Sequence, residues 1–416
     1  MPAPQKHHAR NQQASKAKKA SKNAKKEKPT PVPVEDHDLN DIPLELQQVV
    51  LDTFKSSFPD LFDDEHLEEK LQEVKTHLFN RDFLGAFGRD ELLSAYAVRW
   101  SPSRALAYLS ILHGVIETTL KSKDIKLASK TTGSKSLSIC SIGGGAGAEL
   151  VSVAALLQLL VTRANAPPEI EENTSGDEDG EKEVLAIQNL SITAEAVDLK
   201  FQLLMMDIAD WRSVKTALYD QLTTPPKLSQ YASASAKAAN RPFVYPQSLS
   251  QELHVADVLT LDPESLGRTL VTSHAKLVTI FFTLNELYTT SRARTQAFLL
   301  QLTASLEPGA VLLVVDSAGS YSTVELNGAQ KKYPMHWLLD HTLLKVAASP
   351  SLGADEGNGQ SEEKNKRGRE EQETPRWEKL REEESTWFRL PEGLNYPLEL
   401  EDMRYQLHLY RRLDQR

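Results

Sequence analysis

The chain has 416 residues, of which 40% are hydrophobic and 25% are charged, and its formal net charge is −10 at pH 7. These totals are typical of a globular protein with a sizeable core, and the negative charge argues against nucleic-acid binding over the whole surface. The single cysteine, Cys140, excludes an intrachain disulfide and favours a reducing compartment. We find no run of about 18 apolar residues and no N-terminal signal sequence, so we expect no membrane span.

Residues 1–37 are predicted to form a disordered basic tail. No large apolar residue lies between Met1 and Val32, so the segment buries too little surface to offset the entropy of ordering it. Its positive charges are Lys6, Arg10, Lys16, Lys18, Lys19, Lys22, Lys25, Lys26 and Lys28. This charge favours a nuclear or nucleolar address, or an arm that attracts RNA phosphate. The alternative is a solvated extension without a partner.

Residues 38–130 are predicted to form an N-terminal helical cap. Asn40 and Asp41 are suited to cap a first helix, because their side chains accept hydrogen bonds from its free N–H groups. A second helical pattern runs through residues 67–78. Pro102 is predicted to end one helix and to begin the next.

The stretch Ser136–Leu160 is predicted to fold as a buried strand, a glycine turn and a helix that begins near Glu149. Glycines permit backbone angles that side chains forbid, and they let a ligand approach the main chain closely. The free N–H groups at the helix start favour a polar or anionic ligand. The turn glycines are Gly143, Gly144, Gly145 and Gly147. The stretch therefore predicts a nucleotide-like cofactor, and the alternative is a tight structural turn.

Residues 131–416 are predicted to form an α/β, Rossmann-like domain whose sheet carries helices on both faces. Further buried strands are expected at residues 201–206, 253–258, 277–282 and 310–316. A late edge strand, antiparallel to the others, is expected at Tyr405–Tyr410. Two polar, low-complexity stretches, near 165–185 and 349–375, are expected to be disordered insertions.

Polar side chains follow the predicted strands where each strand ends. They are Asp207, Asp257, Asn285 with Glu286, and Asp316. Ligands of doubly wound sheets bind outside the carboxyl ends of the strands, so these side chains are candidates for one site. The alternative is that Asp207 and Asp257 are solvated or helix-capping residues.

Two kinds of cofactor suit this glycine turn: dinucleotides and S-adenosylmethionine. A dinucleotide site needs an acidic residue about 20 residues after the turn, whereas Asp207 follows only after an acidic insertion. For S-adenosylmethionine, the backbone of Gly143 to Gly147 would face the aminoacyl part. Asp207 would accept hydrogen bonds from the ribose hydroxyls, and Asp257 would lie beside the adenine.

Several sequence blocks together carry a family resemblance. They are SIGGGAGAEL, MMDIADW, ADVL, FTLNELY, YAVRWSPSRALAY and the C-terminal FRLPEGLNYPLELEDMRYQLHLYRR. The chain resembles the fungal S-adenosylmethionine-dependent methyltransferases that modify N3 of a uridine in large-subunit (25S) ribosomal RNA. The resemblance covers roughly residues 38–345 and 376–413, and it implies a class I methyltransferase fold. One departure is Ser141, which stands where an acidic residue is common before the glycines.

The chemistry that this resemblance implies is removal of the N3 proton of a uracil and attack on a sulfonium methyl group. Glu286 is the candidate base, and Asn285 would hold the uracil edge beside it. The alternative for Glu286 is a helix-capping or ion-pairing role. Arg99 and Arg104 would clamp RNA phosphate while Trp100 stacks on a base, unless Trp100 is simply part of the core.

The resemblance also implies large-subunit rRNA or a preribosome as partner and a nuclear or nucleolar location, with the cytoplasm as a further location. We expect a monomer that needs neither a metal ion nor a membrane. Two other functions stay open at this point. One is a non-catalytic ribosome-assembly factor with a methyltransferase-like fold, and the other is a dinucleotide-dependent oxidoreductase.

Overall fold

The computed structural model describes residues 42–120, 135–165, 199–319, 321–326, 329–348 and 374–414. The predicted basic tail and almost all of the two predicted insertions lie outside these residues. The helices are α1 (Leu44–Ser57), α2 (Pro59–Phe62), α3 (Leu67–Phe79), α4 (Phe83–Phe87), α5 (Asp90–Val115), α6 (Ala148–Asn165), α7 (Arg212–Thr223), α8 (Ala234–Ala239), α9 (Pro263–Ser273), α10 (Leu284–Thr290), α11 (Arg292–Ser305) and α12 (Met335–Asp340). A π-helical turn, Ile116–Leu120, follows α5; another, His341–Lys345, and a short 3-10 turn, Val346–Ala348, follow α12.

The described strands are β1 (Lys135–Ile142), β2 (Leu199–Asp207), β3 (Leu249–Val255), β4 (Leu277–Phe281), β5 (Val311–Ser317), β6 (Tyr321–Leu326), β7 (Ala329–Pro334), β8 (Trp377–Phe388) and β9 (Met403–Arg412). Seven of them form one sheet in the order β3-β2-β1-β4-β5-β9-β8, and β6 and β7 form a separate hairpin. Strands β1 to β5 pair in parallel, whereas β9 is antiparallel to both β5 and β8. The strand order reverses between β1 and β4, because β2 and β3 lie on one side of β1 and β4 and β5 lie on the other. The carboxyl ends of β1 and β4 therefore form the switch point at which such sheets bind ligands.

This topology confirms the predicted Rossmann-like sheet and its late antiparallel strand, but the expectation that the last strand lies at the edge is wrong. Strand β9 lies between β5 and β8, and β8 is the edge. The sequence of β8, WEKLREEESTWF, is rich in charge, which hides the alternation that marks a strand. Charged side chains suit an edge strand because they discourage pairing with another chain.

The prediction that Pro102 separates two helices is also wrong, because α5 continues through it. A proline inside a helix leaves the carbonyl four residues earlier without its N–H donor. That carbonyl belongs to Val98, and the Tyr396 hydroxyl donates to it at 2.8 Å. A side chain far away in the sequence therefore replaces the hydrogen bond that the proline removes.

The core lies on the two faces of the sheet. One face packs mainly against α1, α5, α6 and α7, so the N-terminal helices cover the sheet directly. The other face packs mainly against α9, α10, α11 and α12, and it includes Cys140, a fully buried free thiol. Both faces are apolar, which explains the continuous hydrophobic runs of the central strands.

Helix α6 has the length and composition that a membrane-crossing helix needs, although its sequence includes Glu149, Gln158 and Arg163. In the described part of the chain it is the only such helix, and 67% of its apolar window is buried inside the molecule. Core helices of water-soluble folds have the same property.

Candidate active site

The glycine turn connects the end of β1 to the start of α6. Gly143 and Gly147 have φ angles of +82° and +93°, which residues with side chains rarely adopt. The Gly143 N–H donates to the Met206 carbonyl at 2.7 Å and so ties the turn to β2. The first turn of α6 therefore starts at the carboxyl edge of the sheet, as the sequence predicts.

The turn glycines are also required by contacts within the protein. A Cβ atom at Gly143 would overlap Thr283, and one at Gly147 would overlap Leu218. At Gly145 a Cβ atom would overlap the ring of Trp211. The protein's own side chains thus exclude larger residues at these positions, in addition to any ligand that approaches the turn.

Asp207 holds the glycine turn from the end of β2. Its carboxylate accepts hydrogen bonds from the backbone N–H groups of Gly145 and Ala209, each at 3.0 Å. The residue is 9% exposed, and burial raises its pKa while these two N–H groups oppose the rise. The carboxylate is therefore fixed beside the turn before any ligand binds.

A cavity of about 480 Å³ opens at this edge of the sheet, a size suited to a nucleotide-sized ligand. Its wall combines the ends of β1, β2 and β4 with residues of α3, α4, α5, α6 and α10. Phe282, next to β4, lines it with a φ angle of +52°, a strained backbone for an aromatic residue. Its ring lies 6.4 Å from the Tyr108 ring.

Two oppositely charged residues line the inner part of the cavity. Glu149, in the first turn of α6, is 5% exposed, and burial raises its pKa to about 8 although Arg104 favours the charged form. Arg104, on α5, is partly buried, donates to the Tyr96 hydroxyl and lies 5.7 Å from the Phe282 ring centre. No carboxylate of the described residues forms an ion pair with Arg104.

The outer part of the cavity holds the candidate base. Glu286, on α10, lines the cavity, and its Oε2 accepts a hydrogen bond from Arg81 Nη1 at 2.8 Å. Both side chains are partly exposed, so this ion pair lies where the cavity meets solvent. Phe79, 89% exposed, lines the same region. Glu286 thus forms an ion pair, which is the alternative role given to it above. Its side chain still lines the cavity.

The other strand-end residues hold backbone in place. Asp257, partly buried in the cavity wall, accepts hydrogen bonds from the Leu259 N–H at 2.9 Å and the Thr260 hydroxyl at 3.2 Å. Asp316 is buried, and its Oδ2 accepts a hydrogen bond from the Asn285 N–H at 2.9 Å. Neither Asp316 nor Asn285 is among the described residues that line the cavity.

The expected phosphate clamp is not formed by Arg99. Its guanidinium is buried and pairs with Glu401, whereas Arg104 faces the cavity rather than an open surface. Trp100 is partly buried and packs 5.0 Å from the Tyr96 ring, as the core alternative predicts. The reason is that α5 is enclosed between α6 and the C-terminal block.

The segment around Pro102 links the glycine turn to the C-terminal block. The Ser101 hydroxyl donates to the Ala146 carbonyl at 2.7 Å, and the Ser103 hydroxyl accepts from the Glu401 N–H at 3.1 Å. The two sequence blocks that are most specific to the resemblance therefore contact each other and buttress the turn.

Sequence reasoning missed Arg81, Glu149 and Trp211 as parts of the site. Glu149 follows the glycines directly, and an acidic residue in the first turn of a helix is ordinarily explained by the helix dipole. Only the packing of α5 against α6 shows that it is buried beside a cavity. Arg81 has a φ angle of +56°, which its sequence surroundings do not indicate.

One histidine cluster lies outside the cavity wall. Ligand-type atoms of His336, Glu382 and His408 lie within 4.8 Å of one another, so the cluster has the composition of a metal site. Glu382 forms an ion pair with Lys379, whose Nζ lies 2.6 Å from Glu382 Oε2, so its negative charge is balanced. Burial lowers the pKa of His408 to about 4, and its ring stacks on His336 at 5.7 Å. These contacts describe an internal polar network between β8, β9 and α12.

Comparison with known proteins supports a methyltransferase assignment. A family described as SAM-dependent methyltransferases, SAM being S-adenosylmethionine, matches residues 54–411. The 25S rRNA (uridine(2843)-N(3))-methyltransferase of Saccharomyces cerevisiae is 30% identical over 372 residues, which cover 87% of this chain and 85% of the yeast protein. The resemblance seen in the sequence blocks is thereby confirmed.

Solved structures of methyltransferases also align with the chain, at low scores. A class I S-adenosylmethionine-dependent methyltransferase from Listeria monocytogenes has 12% identity and a TM-score of 0.31, covering 91% of this chain and 89% of that one. The CcbJ methyltransferase from Streptomyces caelestis has 12% identity and a TM-score of 0.30, covering 76% and 92%. At these scores neither adds to what the strand order shows. The family match spans most of the chain and includes the glycine turn, so the chain belongs to the SAM-dependent methyltransferase family, with S-adenosylmethionine as its cofactor.

Proposed function

We propose that this protein methylates N3 of a uridine in large-subunit (25S) ribosomal RNA. The observation that carries the proposal is the likeness to the yeast 25S rRNA methyltransferase over 87% of the chain. The family match, residues 54–411, includes every residue of the cavity wall that the structure describes. Membership of a SAM-dependent family decides against the dinucleotide-dependent oxidoreductase. A non-catalytic assembly factor is disfavoured because the cavity retains a polar wall that a packing role does not require.

The cofactor would lie over the carboxyl ends of β1, β2 and β4. The backbone from Gly143 to Gly147 would face its aminoacyl part, Asp207 would accept hydrogen bonds from the ribose hydroxyls, and Asp257 would lie near the adenine. Asp207 suits this role because it is held rigidly by two backbone N–H groups and lines the cavity. Rigid placement favours binding, since little freedom is lost when the ligand arrives.

When bound, S-adenosylmethionine supplies a methyl group that is already activated on a sulfonium sulfur. The residues of the chain then have two tasks, to orient the uracil and to remove its N3 proton. We infer that Glu286 removes the proton, and the position of its carboxylate in the outer part of the cavity supports this role. Arg81, which donates to that carboxylate, must release or share it first. Asn285 follows the same strand and would hold the uracil edge if its side chain turned toward the cavity.

The entrance of the cavity suits a nucleotide that has been turned out of its stack. Phe79 presents an exposed aromatic ring on which a base can stack, and Arg81 presents a guanidinium suited to phosphate. These two residues take the place of Arg99, Trp100 and Arg104 as our candidates for RNA contact. A substrate in preribosomes would place the protein in the nucleus or nucleolus.

The proposal is tested by measuring methyl transfer from labelled S-adenosylmethionine to 25S rRNA and to preribosomal particles, with Asp207→Ala as the negative control. Calorimetry with S-adenosylmethionine and with NAD on the same samples reports cofactor choice. We expect binding of S-adenosylmethionine, no binding of NAD, and transfer to RNA by the unmodified protein alone. Cofactor binding without transfer to either RNA substrate would overturn the proposed substrate.

A further inference from the structure

The inner cavity presents one carboxyl group and one guanidinium that do not pair with each other. Glu149 and Arg104 influence each other electrostatically, yet they form no ion pair, and neither has another charged partner among the described residues. A group buried in this way is costly to ionise unless an opposite charge lies beside it, and a bound ligand can supply that charge. The two residues therefore define a place for a ligand that carries both charges.

Glu149 lies directly against the glycine turn. Its carboxyl carbon is 3.2 Å from the position that a Cβ atom of Gly144 would occupy. The neighbouring Ser141 hydroxyl is fully buried, carries no charge and has no hydrogen-bond partner in the part of the chain that the structure describes. Among the described residues next to Gly144, Glu149 thus supplies the carboxyl group that Ser141 lacks, and a ligand cation beside it would favour its ionised form.

Arg104 approaches the same region from α5. Its guanidinium lies between aromatic rings, 5.5 Å from the centre of Tyr96 and 5.7 Å from that of Phe282. Ring faces stabilise a cation without neutralising it, so the charge remains available to an anion. Arg104 also donates to the Tyr96 hydroxyl, which fixes one edge of the guanidinium. Its other N–H groups have no acceptor among the described residues and can bind a ligand.

The methionine end of S-adenosylmethionine carries an ammonium and a carboxylate on one carbon atom. We propose that Glu149 and Arg104 form the subsite for this amino-acid zwitterion, with Glu149 pairing the ammonium and Arg104 pairing the carboxylate. This inference rests on S-adenosylmethionine being the cofactor, and it does not depend on which RNA is methylated. It gives Arg104 a role different from the phosphate clamp that the sequence predicts.

Three ligands separate the two charges. S-adenosylmethionine has both, decarboxylated S-adenosylmethionine keeps only the ammonium, and 5′-methylthioadenosine has neither. We expect Glu149→Gln to lower the affinity for S-adenosylmethionine and for its decarboxylated form by about 10- to 100-fold, the range for a charge-assisted hydrogen bond. The affinity for 5′-methylthioadenosine should not change. Arg104→Gln should lower only the affinity for S-adenosylmethionine, because only that ligand has the carboxylate.

A matched pair at the cavity entrance provides the control. Arg81→Gln and Glu286→Gln remove the same two kinds of charge from the same cavity, and we expect them to leave all three affinities unchanged. Calorimetry on the full chain gives the affinities, and thermal unfolding of each variant verifies that it remains folded.

The inference is overturned if Glu149→Gln or Arg104→Gln lowers the affinity for all three ligands equally, since that result reports a general change of the cavity. It is also overturned if Arg104→Gln weakens binding of an RNA oligonucleotide and spares S-adenosylmethionine, which would restore the phosphate clamp. Failure of the unmodified protein to bind S-adenosylmethionine would instead contradict the cofactor assignment. Tight cofactor binding without rRNA methylation would leave the subsite intact and contradict only the proposed substrate.

Discussion

Individual residues of the cavity wall differ in how well the sequence predicts them. The glycine turn and Asp207 are predictable because local backbone demands and strand ends leave marks in the sequence, and the structure places them together. Glu149 is not predictable in this way. Its significance arises from burial near Arg104, which lies on α5, the helix that precedes α6 in the chain and packs against it on the same face of the sheet. When two charged residues that are distant in sequence are buried near each other, the sequence shows no periodic pattern that reveals it.

The role of Glu286 is tested by Glu286→Gln, which keeps the size and hydrogen bonding of the side chain and removes its basicity. We expect the single-turnover rate of rRNA methylation to fall by about 10²- to 10⁴-fold, the usual contribution of a general base, while cofactor affinity is unchanged. Rapid-quench measurement with saturating cofactor checks this. An unchanged rate would move the base to another residue, and lost cofactor affinity would make Glu286 a cavity-shaping residue.

The raised pKa of Glu149 predicts a pH-dependent stability in the ligand-free protein. In the folded state the groups that face it are Arg104 and Tyr108 from α5 and Asp207 from β2. Between its ordinary pKa of 4.5 and about 8, the unfolded chain ionises this carboxyl and the folded chain does not. Each pH unit in this window therefore costs the folded state up to about 1.4 kcal/mol.

Glu149→Gln removes this cost, so the variant should gain free energy of unfolding relative to the unmodified protein as pH rises from 5 toward 8. Chemical denaturation at a series of pH values measures the difference. A difference that stays constant with pH would show that Glu149 ionises normally in the folded protein.

At the scale of elements, the central strands and α6 follow from the sequence because long apolar runs and helical spacing dominate there. The continuous α5 does not, since Pro102 is locally a helix breaker. What preserves the helix is Tyr396, which is distant in sequence and donates to the freed Val98 carbonyl. Strand β8 is hidden for a different reason, because its charged residues suit an edge and obscure alternation.

The replacement of a helix hydrogen bond by Tyr396 is tested with Tyr396→Phe. Leaving the Val98 carbonyl without a donor should cost about 1 to 3 kcal/mol of unfolding free energy. Tyr231→Phe, at a hydroxyl on a residue that is 86% exposed, is the matched control and should cost nothing. In a Pro102→Ala background the helix regains its own N–H donor, so Tyr396→Phe should cost less there. An equal cost in both backgrounds, measured by chemical denaturation, would contradict this account of α5.

At the scale of the whole molecule, the predicted division into a helical cap and a methyltransferase domain remains a proposal. The described residues of both parts belong to one compact unit, and α5 packs directly against α6. The helical segment therefore contributes Arg104 and Tyr96 to the same cavity as the sheet. Composition alone distinguishes the basic residues 1–37, whose charge is opposite in sign to that of the whole chain.

That charge predicts a separable function for the tail. Deleting residues 1–30 should reduce nuclear or nucleolar accumulation and weaken RNA binding most strongly at low salt, because released counterions drive such binding. Affinity for S-adenosylmethionine should not change. Microscopy of a tagged protein and binding measured at several salt concentrations check both effects. If location and RNA affinity survive the deletion, the tail is a solvated extension.

The central claim, methylation of uridine N3 in 25S rRNA, is tested most directly in a yeast strain that lacks the related methyltransferase. The strain is complemented with this protein or with its Asp207→Ala variant, and nucleosides from purified 25S rRNA are analysed and mapped by mass spectrometry. We predict that the unmodified protein restores one 3-methyluridine and that the variant does not. A methyl group on any other atom, or no new methyl group in 25S rRNA, would contradict the claim.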